Sequence, residues 1–499
     1  MIIFVQKRTL NPFKKLAGDT AIYGMSSIVG RFLNWWLVPY YTIIFIPEEY
    51  GIVTNLYSYV AFFLVLLLYG METSYFRYAS KSKNRELVYS TTLISVFFTS
   101  ILFVLVLTIL KNPIAAWIRY PEHPEYVVWL AVILGIDAVT AIPFARLRLN
   151  NRPLKFAAVK IINIVFNIGF NIFFLSLCPK ILENNPDSWI NLIYVREIGV
   201  GYVFLSNLLA SLITLLFLLP EMIKVSLKFE RELLWQMLSY GFPILIVGLA
   251  GMINQNIDKI LIPFLLPDGQ NAMHQLGLYG ANYKLAVLMN MFIQAFRYAF
   301  EPFFFARENM SDDRQVYATI MKYFVIFGLI IFLGMILFLD IITLIIGSNY
   351  HEGLKVVPII LMANLFFGIY FALSLWYKLK DMTRYGAYMA LIGAAITLVI
   401  NISLIPFMGY MGSAIAVFVC YLVMMILSYY WGRKYYPVPY DLKRIGTYFG
   451  IAVGIYLINL FLYNQPSWIK YAGESFLFIG FLSIIWKLEK NQLKRLLKR

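Results

Sequence analysis

The chain has 499 residues, of which 61% are hydrophobic and 14% charged, and its formal net charge is +16. A soluble domain of average composition carries about 25% charged residues, so this chain has too little polar surface to coat a water-soluble globule. The mean hydropathy of +0.73 and many long apolar stretches, each able to cross the ~30 Å hydrocarbon core, indicate an integral membrane protein.

Backbone polar groups in lipid need internal partners, which leaves helices or a closed barrel. Barrel strands alternate apolar and polar residues, whereas the stretch 101–110 is apolar apart from Thr108. We therefore predict an all-α polytopic membrane protein with about 14 transmembrane helices. In chain order the predicted spans are 20–45, 50–75, 88–110, 126–145, 156–178, 198–219, 236–266, 278–305, 317–346, 354–377, 386–405, 412–432, 446–463 and 471–487.

Lys and Arg are distributed unevenly between alternate loops. The loops on the side of both termini contain 30 of these residues, and the opposite loops contain 6. Positively charged loops remain in the cytoplasm, so we expect both termini to be cytoplasmic. The same rule accounts for most of the net charge, and nucleic acid is not an expected partner.

A weak internal repeat divides the chain. An offset of 229 residues aligns Tyr50-Gly51 with Tyr279-Gly280, and it also aligns Glu72 with Glu301. We predict two six-helix lobes related by a pseudo-two-fold axis, 1–219 and 220–432, followed by a terminal helix pair with a basic cytoplasmic tail, 433–499. Repeats of this kind commonly place the substrate site at the bilayer midplane between the lobes.

Six cations lie within the predicted spans: Arg31, Lys160, Lys259, Lys284, Arg297 and Lys322. A charge at a helix centre costs roughly 2.5–3.5 kcal/mol on insertion scales, so such residues usually face a partner or a water-filled cavity. Lys322 is close to a span end and is expected to snorkel to the membrane surface. The other five are candidates for binding an anionic substrate.

Helical spacing groups some of these cations with neutral polar residues. Asn290, Gln294, Arg297 and Glu301 share one face of the eighth span, and Lys160 shares a face with three asparagines, Asn163, Asn167 and Asn171. Such stripes either line a cavity or hold helices together by hydrogen bonds. The carboxylates Asp258, Glu301 and Glu72 are candidates for ion coupling or for counter-ions to the cations.

Several segments resemble a known family. These are Asp19 to Arg31, Pro47-Glu-Glu-Tyr-Gly51, the stretch Tyr279 to Lys284 with Ala295 to Pro302, and Asn401 to Pro406. They resemble the polysaccharide and O-antigen flippases of the multidrug/oligosaccharidyl-lipid/polysaccharide exporter superfamily.

The resemblance implies a flippase of the bacterial cytoplasmic membrane that moves an undecaprenyl-diphosphate-linked oligosaccharide outward by alternating access. The partners would be this anionic cargo and membrane lipids, with a glycan polymerase or glycosyltransferases of the same pathway. In the superfamily the cavity is lined by the spans that carry Arg31, Lys259, Lys284 and Arg297, whereas Lys160 is added from its spacing. Asn290 and Gln294 join the predicted substrate-binding set.

Four other functions compete with this one. A lipid II flippase has nearly the same architecture and cargo charge. A multidrug or toxin cation antiporter would be better served by cavity carboxylates than by cations. A membrane-embedded glycosyltransferase needs catalytic motifs, and neither a nucleotide-binding nor a nucleophile motif is present; a non-transporting scaffold would not explain the intramembrane charges. We therefore expect a non-enzyme with no cofactor and no metal.

Overall fold

The computed structural model describes residues 29–30, 32–226, 228–267, 269–305, 314–462 and 465–497, without the side chains of 299, 301–305 and 493–497. Within these residues the chain is helical and contains no strand, which confirms the all-α prediction. Arg31 lies outside the described residues, and so does the side chain of Glu301.

The helices are numbered in chain order. They are α1 (32–44), α2 (Pro47–Leu68), α3 (Met71–Lys81), α4 (Arg85–Ile109), α5 (Lys111–Trp117), α6 (Pro124–Leu149), α7 (Pro153–Ile172), α8 (Cys178–Asn184), α9 (Gly201–Ile223), α10 (Arg231–Leu265), α11 (Ala272–Leu285), α12 (Val287–Phe305), α13 (Arg314–Leu337), α14 (Leu339–Thr343), α15 (Val357–Leu373), α16 (Leu375–Leu379), α17 (Arg384–Met408), α18 (Tyr410–Tyr435), α19 (Leu442–Leu462) and α20 (Ser467–Leu497). A π-helical turn, Phe173–Leu177, extends α7, and a 3₁₀ segment, Ser348–Val356, precedes α15.

Twelve helical stretches in the described part of the chain are long and apolar enough to cross a membrane. They match twelve of the fourteen predicted spans in order. The remaining two are 20–45, which begins outside the described residues, and 278–305, which is divided between α11 and α12. The division falls at Ala286, whose ψ of 0° departs from the helical value near −42°.

The chain separates into two compact units. Unit 1 is Met1–Leu37 with Asn55–Met252, and unit 2 is Val38–Thr54 with Ile253–Arg499. Helices α2 and α10 therefore each contribute residues to both units. The predicted three-part division of the chain remains a prediction.

Unit 1 is built around α6, which packs against α3, α4 and α9. Its most apolar window is 72% buried, compared with 22% for α4. A helix that is apolar over most of its surface belongs in an interior, and α6 is such a helix apart from the face that carries Asp137, Thr140 and Arg148. In unit 2 the buried central helix is α15, because 83% of the residues in its most apolar window are buried. The same fraction is only 17% for α19 and for α20.

The repeat-paired glycines Gly51 and Gly280 both lie at one helix crossing in unit 2, between α11 and the start of α2. A Cβ at Gly51 would lie 2.1 Å from the Met273 carbonyl oxygen, and one at Gly280 would lie 2.3 Å from Thr54 Oγ1. Gly277 makes the tightest approach, because its Cβ would lie 1.8 Å from the Pro47 carbonyl oxygen. These glycines allow the two backbones to touch.

The expectation that Lys322 snorkels to the membrane surface is wrong. Lys322 is 3% exposed, and its Nζ lies 2.5 Å from Glu489 Oε2 on α20. Glu489 also accepts a hydrogen bond from Tyr448 Oη on α19, at 2.6 Å. The lysine therefore joins α13 to the two terminal helices through a buried carboxylate.

Candidate functional site

Unit 1 contains a cavity of about 340 Å³ enclosed by α2, α3, α6, α7 and α9, which we call the unit 1 cavity. Its volume lies in the ~300–1,000 Å³ range of small-molecule sites. Leucine and phenylalanine side chains form its apolar walls. Its polar lining consists of Glu72, Asp137, Thr140, Arg148, Lys160, Asn163, Asn207, Ser211 and Thr214.

The junction of α2 and α3 positions Glu72. The backbone turns at Tyr69 and Gly70, whose φ angles are +33° and +77°. Glycine is required at 70, because this left-handed conformation disfavours a side chain and a Cβ would lie 2.4 Å from the Gly241 carbonyl oxygen. Glu72 then lies in the first turn of α3, where the helix dipole favours a negative charge.

Glu72 forms a salt bridge with Arg148, in the last turn of α6. The guanidinium of Arg148 also lies 4.9 Å from the centre of the Phe76 ring. Its buried Nε has no hydrogen-bond partner among the described residues. Arg148 thus has one donor committed to Glu72, while its buried Nε donor is unsatisfied.

The second carboxylate of the cavity is Asp137, which lies on the same face of α6 as Arg148, since steps of three and four residues connect the two positions. Its Oδ1 accepts a hydrogen bond of 2.9 Å from Ser211 Oγ on α9. Ser211 lies between two further polar residues at helical spacing, Asn207 and Thr214, and the three together form the α9 wall.

Lys160 enters the cavity from α7. Its Nζ lies 4.2 Å from the centre of the Phe144 ring, and it forms no salt bridge within the described part of the chain. The charges of Asp137, Arg148 and Glu72 all act on it electrostatically. Lys160 is therefore a membrane-embedded ammonium whose hydrogen-bonding capacity is open to a ligand.

The asparagines at helical spacing on α7 have two different roles, because one lines the cavity and another bonds within its own helix. Asn163 lines the cavity and donates a 2.9 Å hydrogen bond to Thr214 Oγ1 on α9. Asn171 is buried and donates to the Asn167 carbonyl oxygen, at 2.8 Å, in its own helix. The stripe read from spacing thus contributes Lys160 and Asn163 to the cavity.

Unit 2 holds a separate charged cluster at the end of α10. Asp258 and Lys259 are 1% and 7% exposed, and Lys259 Nζ lies 3.1 Å from Asp258 Oδ1. Tyr279 Oη on α11 donates a 2.6 Å hydrogen bond to Asp258 Oδ2, and Lys259 Nζ donates to the Gln255 carbonyl oxygen at 2.9 Å. These bonds hold both charges inside the unit.

The other predicted binding residues of unit 2 lie on α11 and α12. Lys284 is exposed in the last turn of α11, while Asn290, Gln294 and Arg297 are half-buried on one face of α12. The Arg297 guanidinium lies 3.9 Å from the centre of the Phe371 ring, a cation–π contact.

The structure brings together only some of the residues predicted from sequence. Glu72 and Lys160 meet in the unit 1 cavity, and Asp258 and Lys259 meet in unit 2. Arg148 lies beyond the end of the predicted span 126–145, although its spacing from Asp137 and Phe144 puts it on the same face of one helix. The polar face of α9, Asn207, Ser211 and Thr214, is also evident from helical spacing and belongs to none of the predicted binding sets.

A family model described as "Polysaccharide biosynthesis protein" matches residues 16–308. No curated protein sequence matches the chain.

Solved structures of transporters share the fold. A lipid II flippase, MurJ, in an inward closed conformation superposes with a TM-score of 0.72 at 13% identity, covering 93% of this chain and 98% of that chain. A multidrug resistance MATE family transporter of the MOP superfamily, in an inward-facing conformation, has a TM-score of 0.62 at 13% identity, covering 86% of this chain and 95% of that chain. At these identities the similarity establishes the fold.

Proposed function

Because the chain belongs to the polysaccharide biosynthesis protein family, we propose that it is a flippase, not an enzyme, that carries an undecaprenyl-diphosphate-linked oligosaccharide across the bacterial cytoplasmic membrane by alternating access. The family and the fold are those of multi-pass membrane transporters. The cargo, the direction of transport and the cytoplasmic position of both termini are parts of the proposal.

The observation that carries the proposal is the pair of cations in the unit 1 cavity. The side chain of Arg148 is 36% exposed and has an unsatisfied donor at Nε, and Lys160 has no salt bridge among the described residues. Diphosphate oxygens accept charge-assisted hydrogen bonds from both groups. Glu72 and Asp137 balance these charges, so a diphosphate would compete with Glu72 for Arg148.

Arg31, Lys259, Lys284 and Arg297 stay proposed cargo-binding residues, with Asn290 and Gln294. The internal pairing of Lys259 with Asp258 favours a counter-ion role for Asp258, and the pairing of Glu72 with Arg148 favours the same role for Glu72. Ion coupling by Asp258, Glu72 or Glu301 is tested by imposing proton and sodium gradients separately on proteoliposomes. Loss of the response to one gradient in Asp258→Asn or Glu301→Gln would support coupling.

The test of the proposal is transport by the purified protein in proteoliposomes. Undecaprenyl-diphosphate-linked oligosaccharide, lipid II and a lipophilic cation drug are supplied in parallel, and appearance in the opposite leaflet or lumen is measured. We expect transport of the first cargo. Transport of lipid II alone would make the chain a lipid II flippase, and transport of the drug alone would make it a cation exporter.

A further inference from the structure

Unit 2 has a second cavity, of about 370 Å³, at the ends of its helices, which we call the unit 2 vestibule. Three connections meet there: residues 270–271 before α11, the 3₁₀ segment Ser348–Val356, and the turn at Gly409 between α17 and α18. The charge asymmetry of the loops predicts that all three are on the periplasmic side.

One wall of the vestibule is held in place by hydrogen bonds between these connections. Gln275 Oε1 accepts a bond of 3.3 Å from the Tyr410 N–H, and Tyr410 Oη donates to the Glu352 carbonyl oxygen at 3.4 Å. Gly409 has a φ of +56°, and a Cβ there would lie 2.0 Å from Gln275 Oε1. The turn therefore requires glycine for Gln275 to reach it.

The opposite wall presents an imidazole and an amide in fixed orientations. Glu48 Oε1 lies 2.9 Å from His274 Nδ1 and accepts a 3.0 Å hydrogen bond from Asn271 Nδ2. Asn271 Oδ1 in turn accepts from the His274 N–H at 3.0 Å, capping α11. These bonds preorganise the polar groups that face the vestibule.

The lining has little net charge and many neutral hydrogen-bonding groups. Among the described lining residues the one lysine, Lys355, lies 3.9 Å from the one carboxylate, Glu352, so these residues carry no cationic excess that would select a phosphate. Amide, imidazole and carboxylate groups offer donors and acceptors together, which suits hydroxyl groups that both donate and accept. Phe407 is 87% exposed at the rim and offers an aromatic face to the apolar side of a sugar ring.

We infer that the unit 2 vestibule is a saccharide subsite that binds neutral sugar residues of the cargo at the periplasmic end of unit 2. This inference rests on the proposed function and deepens it, since it assigns the saccharide part of the cargo, rather than the diphosphate, to a named surface. Glu352 and Lys355, whose side chains are exposed, supply the hydrogen bonds, and Phe407 supplies the stacking face.

A photo-crosslinking amino acid at position 407 tests the subsite in cells that make the lipid-linked saccharide. The control carries the same amino acid at position 461, because Phe461 is an aromatic residue of similar exposure, 80%, outside the vestibule. We expect saccharide, identified by mass spectrometry, to be attached at 407 and not at 461. Crosslinks at 407 to lipid alone, or equal saccharide attachment at both positions, would overturn the inference.

Transport in proteoliposomes separates this inference from the proposed function. Undecaprenyl diphosphate bearing a tetrasaccharide and the same lipid bearing only the first sugar are compared. In the Glu352→Gln/Phe407→Ala variant we expect the ratio of the tetrasaccharide rate to the monosaccharide rate to fall about tenfold, because two contacts to the distal sugars are lost. An unchanged ratio in a protein that transports both cargoes overturns the subsite alone. Failure of the wild-type protein to transport either cargo overturns the proposed function and the subsite with it.

Discussion

Single side chains in the unit 1 cavity differ in whether their charge is already compensated. Glu72 and Arg148 neutralise each other, whereas Lys160 lies against the face of Phe144 and forms no salt bridge with any residue that the structure describes. An ammonium held in this way has lost part of its hydration without gaining a salt bridge. It is the group from which an anionic cargo would gain most.

We predict that Lys160→Ala lowers the transport of undecaprenyl-diphosphate-linked saccharide about 10- to 100-fold. The loss corresponds to one charge-assisted hydrogen bond of about 1.5–3 kcal/mol. Lys160→Arg should retain part of the activity, because it keeps the charge. The rates are measured in proteoliposomes at equal protein content.

Lys155 provides the matched control on the same helix. It pairs with Glu221, at 2.6 Å, outside the cavity lining. Lys155→Ala should therefore transport at nearly the wild-type rate. If both alanine variants behave alike, Lys160 does not bind cargo.

Glu72→Gln is expected to strengthen the binding of undecaprenyl diphosphate, whereas Lys160→Ala is expected to weaken the handling of this cargo. Removal of the carboxylate charge frees Arg148 for the diphosphate, so the dissociation constant for undecaprenyl diphosphate should decrease about tenfold, the equivalent of 1.4 kcal/mol. Turnover should decrease as well, since release then lacks a competitor for Arg148. Equilibrium binding and transport are measured on the same preparation, with the exposed Glu86→Gln as control. Weaker binding by Glu72→Gln would mean that the carboxylate orients Arg148 rather than competing for it.

The helices themselves are positioned by close backbone contacts and by buried ion pairs. Gly277 on α11 touches the start of α2, and Glu489 on α20 receives hydrogen bonds from Lys322, Tyr448 and Arg444. Only 17% of the residues in the most apolar window of each terminal helix are buried, so this carboxylate is a main polar link between these helices and α13.

Gly277→Ala should destabilise the protein by about 1–3 kcal/mol, because the added methyl group meets a backbone carbonyl that cannot move aside cheaply. Thermal unfolding in detergent reports the change as a lower Tm. Gly450→Ala on α19 is the control, since a Cβ there meets nothing within 4 Å and alanine favours a helix. Its Tm should be equal or higher. Equal Tm losses in the two variants would contradict the close contact at Gly277.

For the molecule as a whole, the arrangement of spans predicts which loops face the cytoplasm. Reporter fusions after Arg499 and within 220–235 should read cytoplasmic, and fusions within 179–197 should read periplasmic, because Lys and Arg are concentrated in the first two regions. Alkaline phosphatase and a fluorescent protein that folds only in the cytoplasm give complementary signals. A periplasmic reading after Arg499 would overturn the span count and the sidedness of the unit 2 vestibule.

The sequence alone determined the class of the protein and most of its spans. Lipid requires long apolar helices, and this constraint acts on each segment separately. A transmembrane span can therefore be predicted from a single stretch such as α4. The shared faces of Lys160 with Asn163 and of Gln294 with Arg297 were also predictable, because residues three and four apart on one helix are neighbours.

Only the tertiary structure decided which charges meet. Arg148 and Glu72 are 76 residues apart in the chain, and Lys322 and Glu489 are 167 apart. Periodicity within one helix carries no information about which other helix packs against it. For this reason the sequence predicts a membrane-surface position for Lys322 and a loop position for Arg148, whereas packing places the first in a buried ion pair and the second in a cavity wall. The polarity of each helix face is a local property, but the partner of each face is set by how the helices pack in three dimensions.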